Sequence, residues 1–201
     1  MNSLTAPVRL RQRRTKVQIP WSPPVKEIGM RSKVRKEAEK DAKRLVKADF
    51  SRSGFAVEPV GIANRLGVQV REASLDEDVF GGLFLKPGVD PKVVLNRRHS
   101  FFRRRLTCAL ELGHYVRMSA TTNAYKRADL TEGSEQIGGE SEELYALEFA
   151  GSLLMPKEDV KILADLWMDD LEMALRFRVP REAMQIRLRS LGMRAPGRAA
   201  A

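Results

Sequence analysis

The chain has 201 residues, 43% of them hydrophobic and 31% charged, so it can bury one sizeable core, and its length argues against two large domains. Its formal charge of +10 belongs to the front of the chain: residues 1–47 hold 14 Lys/Arg against 4 Asp/Glu, while the remainder holds 22 against 22. No apolar run reaches the roughly 18 residues of a membrane helix, and the single cysteine, Cys108, excludes an intrachain disulfide framework and any cysteine-based zinc cluster.

Residues 1–31 carry Pro20, Pro23, Pro24 and scattered basic residues with no sustained apolar period, and are expected to form a basic flexible arm. The opening MNSLTAPVRLRQRRTK lacks the apolar segment of a secretory signal, so the expected setting is the reducing cytoplasm. Such an arm can meet nucleic acid through counterion release, meet an acidic partner, or serve only as a solvated leader. From Ser32 to about Phe50, a stripe of Val34, Ala38, Ala42, Leu45 and Val46 predicts a basic amphipathic helix with Ser32 as its N-cap. A second helix fits VEPVGIANRLG, with Pro59 in the first turn and Gly67 as the stop.

VQVREASL alternates like a strand. VFGGLFLKPGVDPKVVLN then predicts an antiparallel hairpin, Gly82–Leu85 and Lys92–Asn96, around a Pro/Gly/Asp turn. Helical periodicity runs from about Ser100 to Met118, followed by a polar loop over about 119–139, long enough to cover a site. Glu140 to Met155 predicts a helix whose packed face is Leu144, Leu147, Ala150, Gly151 and Leu154, stopped by Pro156. DVKILADLWMDDLEMALRFRV and PREAMQIRLRSLGM predict two or three short helices, and RAPGRAAA a frayed end.

The expected fold class is α+β: a small antiparallel sheet of about three strands packed on a helical core. In this reading residues 32–156 form the main domain, 157–193 a short-helix segment packed on it, and 194–201 a disordered tail. Val179 to Met193, with Arg181, Arg187 and Arg189, can also be read as a DNA-contacting helix; its apolar Met184, Leu188 and Leu191 suit a packing helix equally.

The chemistry concentrates in TCALELGHYV, Thr107 to Val116. In an H-E-x-x-H motif, residues four apart share one helical face, so both imidazoles reach one cation and the intervening Glu stands beside the metal-bound water. Here Glu111 and His114 occupy the second and last motif positions, and Leu110 occupies the first. His99 does not replace the missing imidazole: eleven residues before Leu110, it would lie roughly 16 Å away on a continuous helix. Cys108 is about 200° around the helix from Leu110 and should point into packing. Glu140 and Glu142 leave open a carboxylate-rich site with His114 and Glu143.

HSFFRRRLTCALELGH followed by EELYALEFAGSLLMP closely resembles the ImmA/IrrE family of metallopeptidase-like proteins, whose pattern is approximately R-x-F-T-x-A-H-E-L-G-H and then E-x-x-A-x-x-F-A-x-x-L-L-M-P. The second block matches at Glu143, Ala146, Phe149, Ala150, Leu153, Leu154, Met155 and Pro156. The resemblance, from about Val34 to Met193, implies a metallopeptidase-like helical core. It implies His114 and Glu143 as metal ligands and Glu111 as the general base that activates water. It also implies a regulatory protein acting on a transcriptional repressor or similar regulator. Leu110 departs from the pattern at the first histidine, which implies zinc binding weakened or absent and hydrolysis lost or impaired. The alternatives are an active metal-dependent endopeptidase using Glu111, His114 and Glu143, and a DNA-binding regulator using the basic arm or the C-terminal helices.

Overall fold

A computed structural model of the chain describes residues 28–48, 54–86, 88–125 and 139–194. Among these are seven helices and three strands: α1 (Ile28–Lys47), α2 (Pro59–Arg65), β1 (Gln69–Ala73), β2 (Gly81–Lys86), β3 (Val89–Asn96), α3 (Phe101–Tyr125), α4 (Glu140–Leu154), α5 (Lys157–Asp165), α6 (Asp170–Phe177) and α7 (Arg181–Ser190). The class is α+β, as expected. The basic arm before residue 28, most of the 119–139 loop and the end of the chain lie outside the described residues.

α1 begins at Ile28, so Ser32 lies inside the helix with an exposed side chain and does not cap it. Serine favours caps but is tolerated on a solvent-facing helical position, and residues 28–31 contain no proline to stop the helix before it. The stripe of α1 is as expected: Val34, Ala38 and Ala42 are buried, and Leu45 and Val46 pack at the edge of the core. Pro59 and Gly67 bound α2 as the sequence predicts; Gly67 adopts φ +74, the left-handed geometry that ends a helix cheaply only at glycine.

The sheet has the order β1-β3-β2 and is mixed, which corrects the wholly antiparallel expectation. β2 and β3 form the antiparallel hairpin, with Lys86 opposite Val89 and Gly88 at φ +74. The turn is therefore tighter than expected, and Val89, Asp90 and Pro91 belong to β3. β1 pairs with β3 in parallel, Gln69 opposite Lys92 through Ala73 opposite Asn96. Alternation in a sequence fixes which face of a strand is buried, not which neighbour it finds or in what direction. Asn96, fully buried at the end of β3, donates to the carbonyls of Asp76 (2.9 Å) and Val79 (2.8 Å) and accepts from the Arg98 amide (3.1 Å), shaping the β1–β2 connection.

The sheet packs on α3, and α4 lies between α3 and α1. Gly113 marks the closest approach of α3 to α4: a Cβ there would stand 2.9 Å from the Ala146 Cα and 3.1 Å from Phe149 Cδ1. Because α4 is covered on two sides, its buried set is broad: Tyr145, Ala146, Phe149, Ala150, Ser152, Leu153 and Leu154. Leu147, expected inside, is 38% exposed. A single-stripe reading puts the face slightly off when two helices share the burial.

The C-terminal segment breaks into three helices. Trp167 at φ +59 ends α5, and Asp169 starts α6 with a full capping box: its side chain accepts from the Leu171 and Glu172 amides, and the Glu172 carboxylate accepts from the Asp169 amide. Pro180 caps α7. Arg105 of α3, 3% exposed, donates to Glu58 Oε2 (2.7 Å), to the Val57 carbonyl and to the Arg178 carbonyl (3.1 Å), tying α3 to α2 and to the α6–α7 link. No helix among the described residues is long and apolar enough to cross a membrane.

Candidate functional site

The site lies where the middle of α3 passes the first turn of α4. Ser100 sets the start of α3: its carbonyl accepts from the Arg104 amide (3.0 Å) and its hydroxyl from the Arg103 amide (3.3 Å). From that start, helical spacing puts Leu110 and His114 one turn apart on one side of α3, with Glu111 next to them round the helix. α4 opens with Glu140, Glu142 and Glu143 in its first turn, where the positive end of the helix dipole favours carboxylates.

The structure brings His114 and Glu143 together, with His114 Nε2 3.6 Å from Glu143 Oε2. That is longer than a hydrogen bond. It is close to the ~3.4 Å that separates two donors on one tetrahedral zinc with ligand distances of about 2.1 Å. Glu111 is 5% exposed on the same stretch of α3. Its charge, after burial itself, helps to push the Cys108 thiol up to about 12. Leu110 is buried as part of the hydrophobic core.

The other candidates stand apart. Glu142 faces Arg117 Nε at 3.9 Å, and Glu140 is exposed. His99 is at the β3–α3 junction, with its ring 4.8 Å from that of Phe80. Cys108 is fully buried, as expected of a small hydrophobe. Arg117, passed over in the sequence reading, lies one turn beyond His114. It donates to Glu37 Oε2 (2.9 Å) and sits 4.9 Å from the Tyr145 ring centroid. Its spacing of three from His114 was the available signal. The arginines of α7 are mostly engaged: Arg181 is held by Asp170 at 2.8 and 3.1 Å, Arg187 is buried, and Arg189 is exposed.

A catalytic zinc commonly has three protein ligands and one open position. His114 and Glu143 suit two of them, and at the third stands the side chain of Leu110, which has no lone pair to give. Among the described residues, no group of three or more His, Cys, Asp or Glu is placed to hold a metal ion. The described residues by themselves therefore do not make a three-ligand zinc centre.

Known proteins place this architecture. Among solved structures, a Mycobacterium tuberculosis transcriptional regulator is similar to this chain at 19% identity and a TM-score of 0.57, over 79% of this chain and 51% of that one. The likeness is one of fold, and this chain spans about half the length of that regulator. No curated protein matches the chain. The family described as the IrrE N-terminal-like domain matches residues 63–189, from the middle of α2 to the end of α7 and across the whole candidate site. With the paired helices and the hairpin sheet, that match shows that the chain belongs to the IrrE N-terminal-like family.

Proposed function

We propose that this chain is a regulatory protein of metallopeptidase fold that binds a transcriptional repressor or similar regulator and has lost or lowered its capacity for hydrolysis. The observation that carries the reading is Leu110, buried in the core at the position where the motif needs a donor. Glu111, His114 and Glu143 are then the remainder of a metallopeptidase site: two side chains suited to a metal and one in the position of the base. The regulatory setting is supported by family membership and by the transcriptional regulator that shares the fold. A reducing cytoplasmic setting fits the single, buried cysteine.

The test is a zinc count on the dialysed full chain beside Leu110→His. The unmodified chain is expected to hold well below one zinc per chain, and Leu110→His close to one, because the substitution restores the third donor. One tightly held zinc in the unmodified chain, lost in both His114→Ala and Glu143→Ala, would overturn the reading in favour of a metal-loaded peptidase site.

A further inference from the structure

The corner between α5 and α6 carries a large side chain where the backbone asks for glycine. The Trp167 amide donates to the Ala164 carbonyl (3.0 Å) and the Met168 amide to the Leu163 carbonyl (3.2 Å), the paired bonds that close a helix through one left-handed residue. Trp167 is that residue, at φ +59, and it is 80% exposed. Glycine fills such a position without strain, whereas a bulky residue is held there against its backbone preference. With so little of its ring covered, contacts within the chain offset little of that strain.

Its neighbours share the exposure. Ile162 of α5 and Leu166 at its C-cap stand one turn apart, turned away from the buried Val160 and Leu163. Leu171 and Leu175 stand one turn apart on α6, turned away from the buried Met173, Ala174 and Phe177. Of the ten large apolar side chains exposed among the described residues, these five fall within residues 162–175, and the other five are spread from Val60 to Leu147. Together the five expose on the order of 500 Å², toward the upper end of what a soluble monomer leaves bare. The exposed charged residues between 161 and 176 are balanced, Lys161 and Arg176 against Asp165 and Glu172.

We infer that this α5–α6 face pairs with the same face of a second copy of the chain, with Trp167 as its anchor. An ordinary interface covers roughly 800 Å² on each partner, about 65% of it apolar in homodimers, which is close to the apolar area bare here. A two-fold pairing sets a surface against itself, and two charges of each sign around the face let opposite charges meet. The surplus charge of the chain does not oppose this, because residues 48–201 hold as many acids as bases. A strongly basic or strongly acidic partner would find no matching excess of charge around the face. The tryptophan that is strained and bare in one copy is buried in the pair, and the face shares no residue with Glu111, His114 and Glu143.

Sedimentation of the full chain across micromolar concentrations is expected to show a monomer–dimer equilibrium. Trp167→Gly should weaken pairing by about thirtyfold or more, the loss of an interface hot spot. The same variant should melt about 2–4 °C above the parent when both are dilute enough to be monomeric, because the strain of the left-handed residue is relieved. A tryptophan with no role in pairing would show the gain in Tm without the loss of association. Leu175→Glu places a charge on the α6 half of the face and should also abolish pairing, while Leu85→Ser, at an exposed position on β2, should leave it unchanged. Three results overturn the assignment: a parent chain that stays monomeric throughout, either face variant pairing like the parent, or Leu85→Ser losing the pairing equally. The first of them leaves the face to a different partner.

Discussion

Gly113 and Gly151 offer one chemical change with opposite expected outcomes. Both are helical glycines, on α3 and α4, and alanine at either position gains about 0.5–1 kcal/mol from reduced backbone freedom in the unfolded chain. Their surroundings differ. A Cβ on Gly151 meets only Arg187 Cδ at 3.7 Å, an ordinary contact. A Cβ on Gly113 meets the Ala146 Cα at 2.9 Å, the Ala146 carbonyl at 3.1 Å and Phe149 Cδ1 at 3.1 Å. Carbon atoms prefer about 3.5–4.0 Å, and because the nearest neighbour is backbone, the two helices must move apart to admit the methyl. Overpacking of this kind costs about 1–3 kcal/mol. Since the propensity gain is common to both variants, the difference between Gly113→Ala and Gly151→Ala isolates the crowding at the α3–α4 crossing, about 1–3 kcal/mol. Urea denaturation measures it, with m unchanged as the check that the unfolded state is the same. If Gly113→Ala proved as stable as Gly151→Ala, the two helices would not be in the close contact that sets His114 against Glu143.

Two further outcomes follow from buried polar groups. The Cys108 thiol is raised to about 12 by burial, with the Glu111 charge adding to it. An unfolded thiol ionises near 8.5, so the stability this group contributes is complete below ~8.5 and is lost as pH rises toward the folded value. The slope is about 1.4 kcal/mol per pH unit where the unfolded thiol is ionised and the folded one is not. Cys108→Ala should flatten stability against pH between ~9 and ~10, below the range where Tyr145, also raised by burial, adds its own slope. Equal slopes in the two proteins would refute it. Arg105→Met takes one of its two arginine partners from the half-exposed Glu58, which keeps Arg178, and removes the buried donor to the Val57 and Arg178 carbonyls, a loss of about 1–3 kcal/mol. Limited proteolysis should then open the α6–α7 link near Arg178 first, and a loss under about 1 kcal/mol in urea would count against that account.

The readable parts of the sequence were those where one local rule decides. Pro59 and Gly67 bounded α2, the Lys-Pro-Gly run located the hairpin, and the 3.6-residue spacing set Leu110 and His114 on one side of α3. Misreadings arose where partners distant in sequence decide. Ser32 looked like a cap, yet α1 starts a turn earlier. Leu147 looked buried, yet α1 and α3 divide the circumference of α4 between them and leave it outside. Nothing in VQVREASL says that β1 lies parallel to β3. At the site, spacing gives the side of α3 that His114 occupies, while its approach to Glu143 depends on the crossing of two helices separated by residues 126–139. The burial of Arg187 was not legible at all, since the same arginine reads equally as a surface contact until α4 is packed against it.

α1 lies wholly before the stretch that matches the family, residues 63–189, and yet it closes one side of that stretch's central helix. Its Asp41 accepts from the Tyr145 hydroxyl at 2.7 Å, its Arg35 holds Glu148 at 3.0 Å, and its Glu37 holds Arg117, one turn from His114. The boundary of inherited sequence likeness is therefore not the boundary of cooperative folding. A fragment trimmed to residues 63–189 would leave an apolar flank of α4 open to water and two buried hydroxyl and carboxylate partners without their mates. Any transplant of the family module from this protein into another has to carry its first helix along.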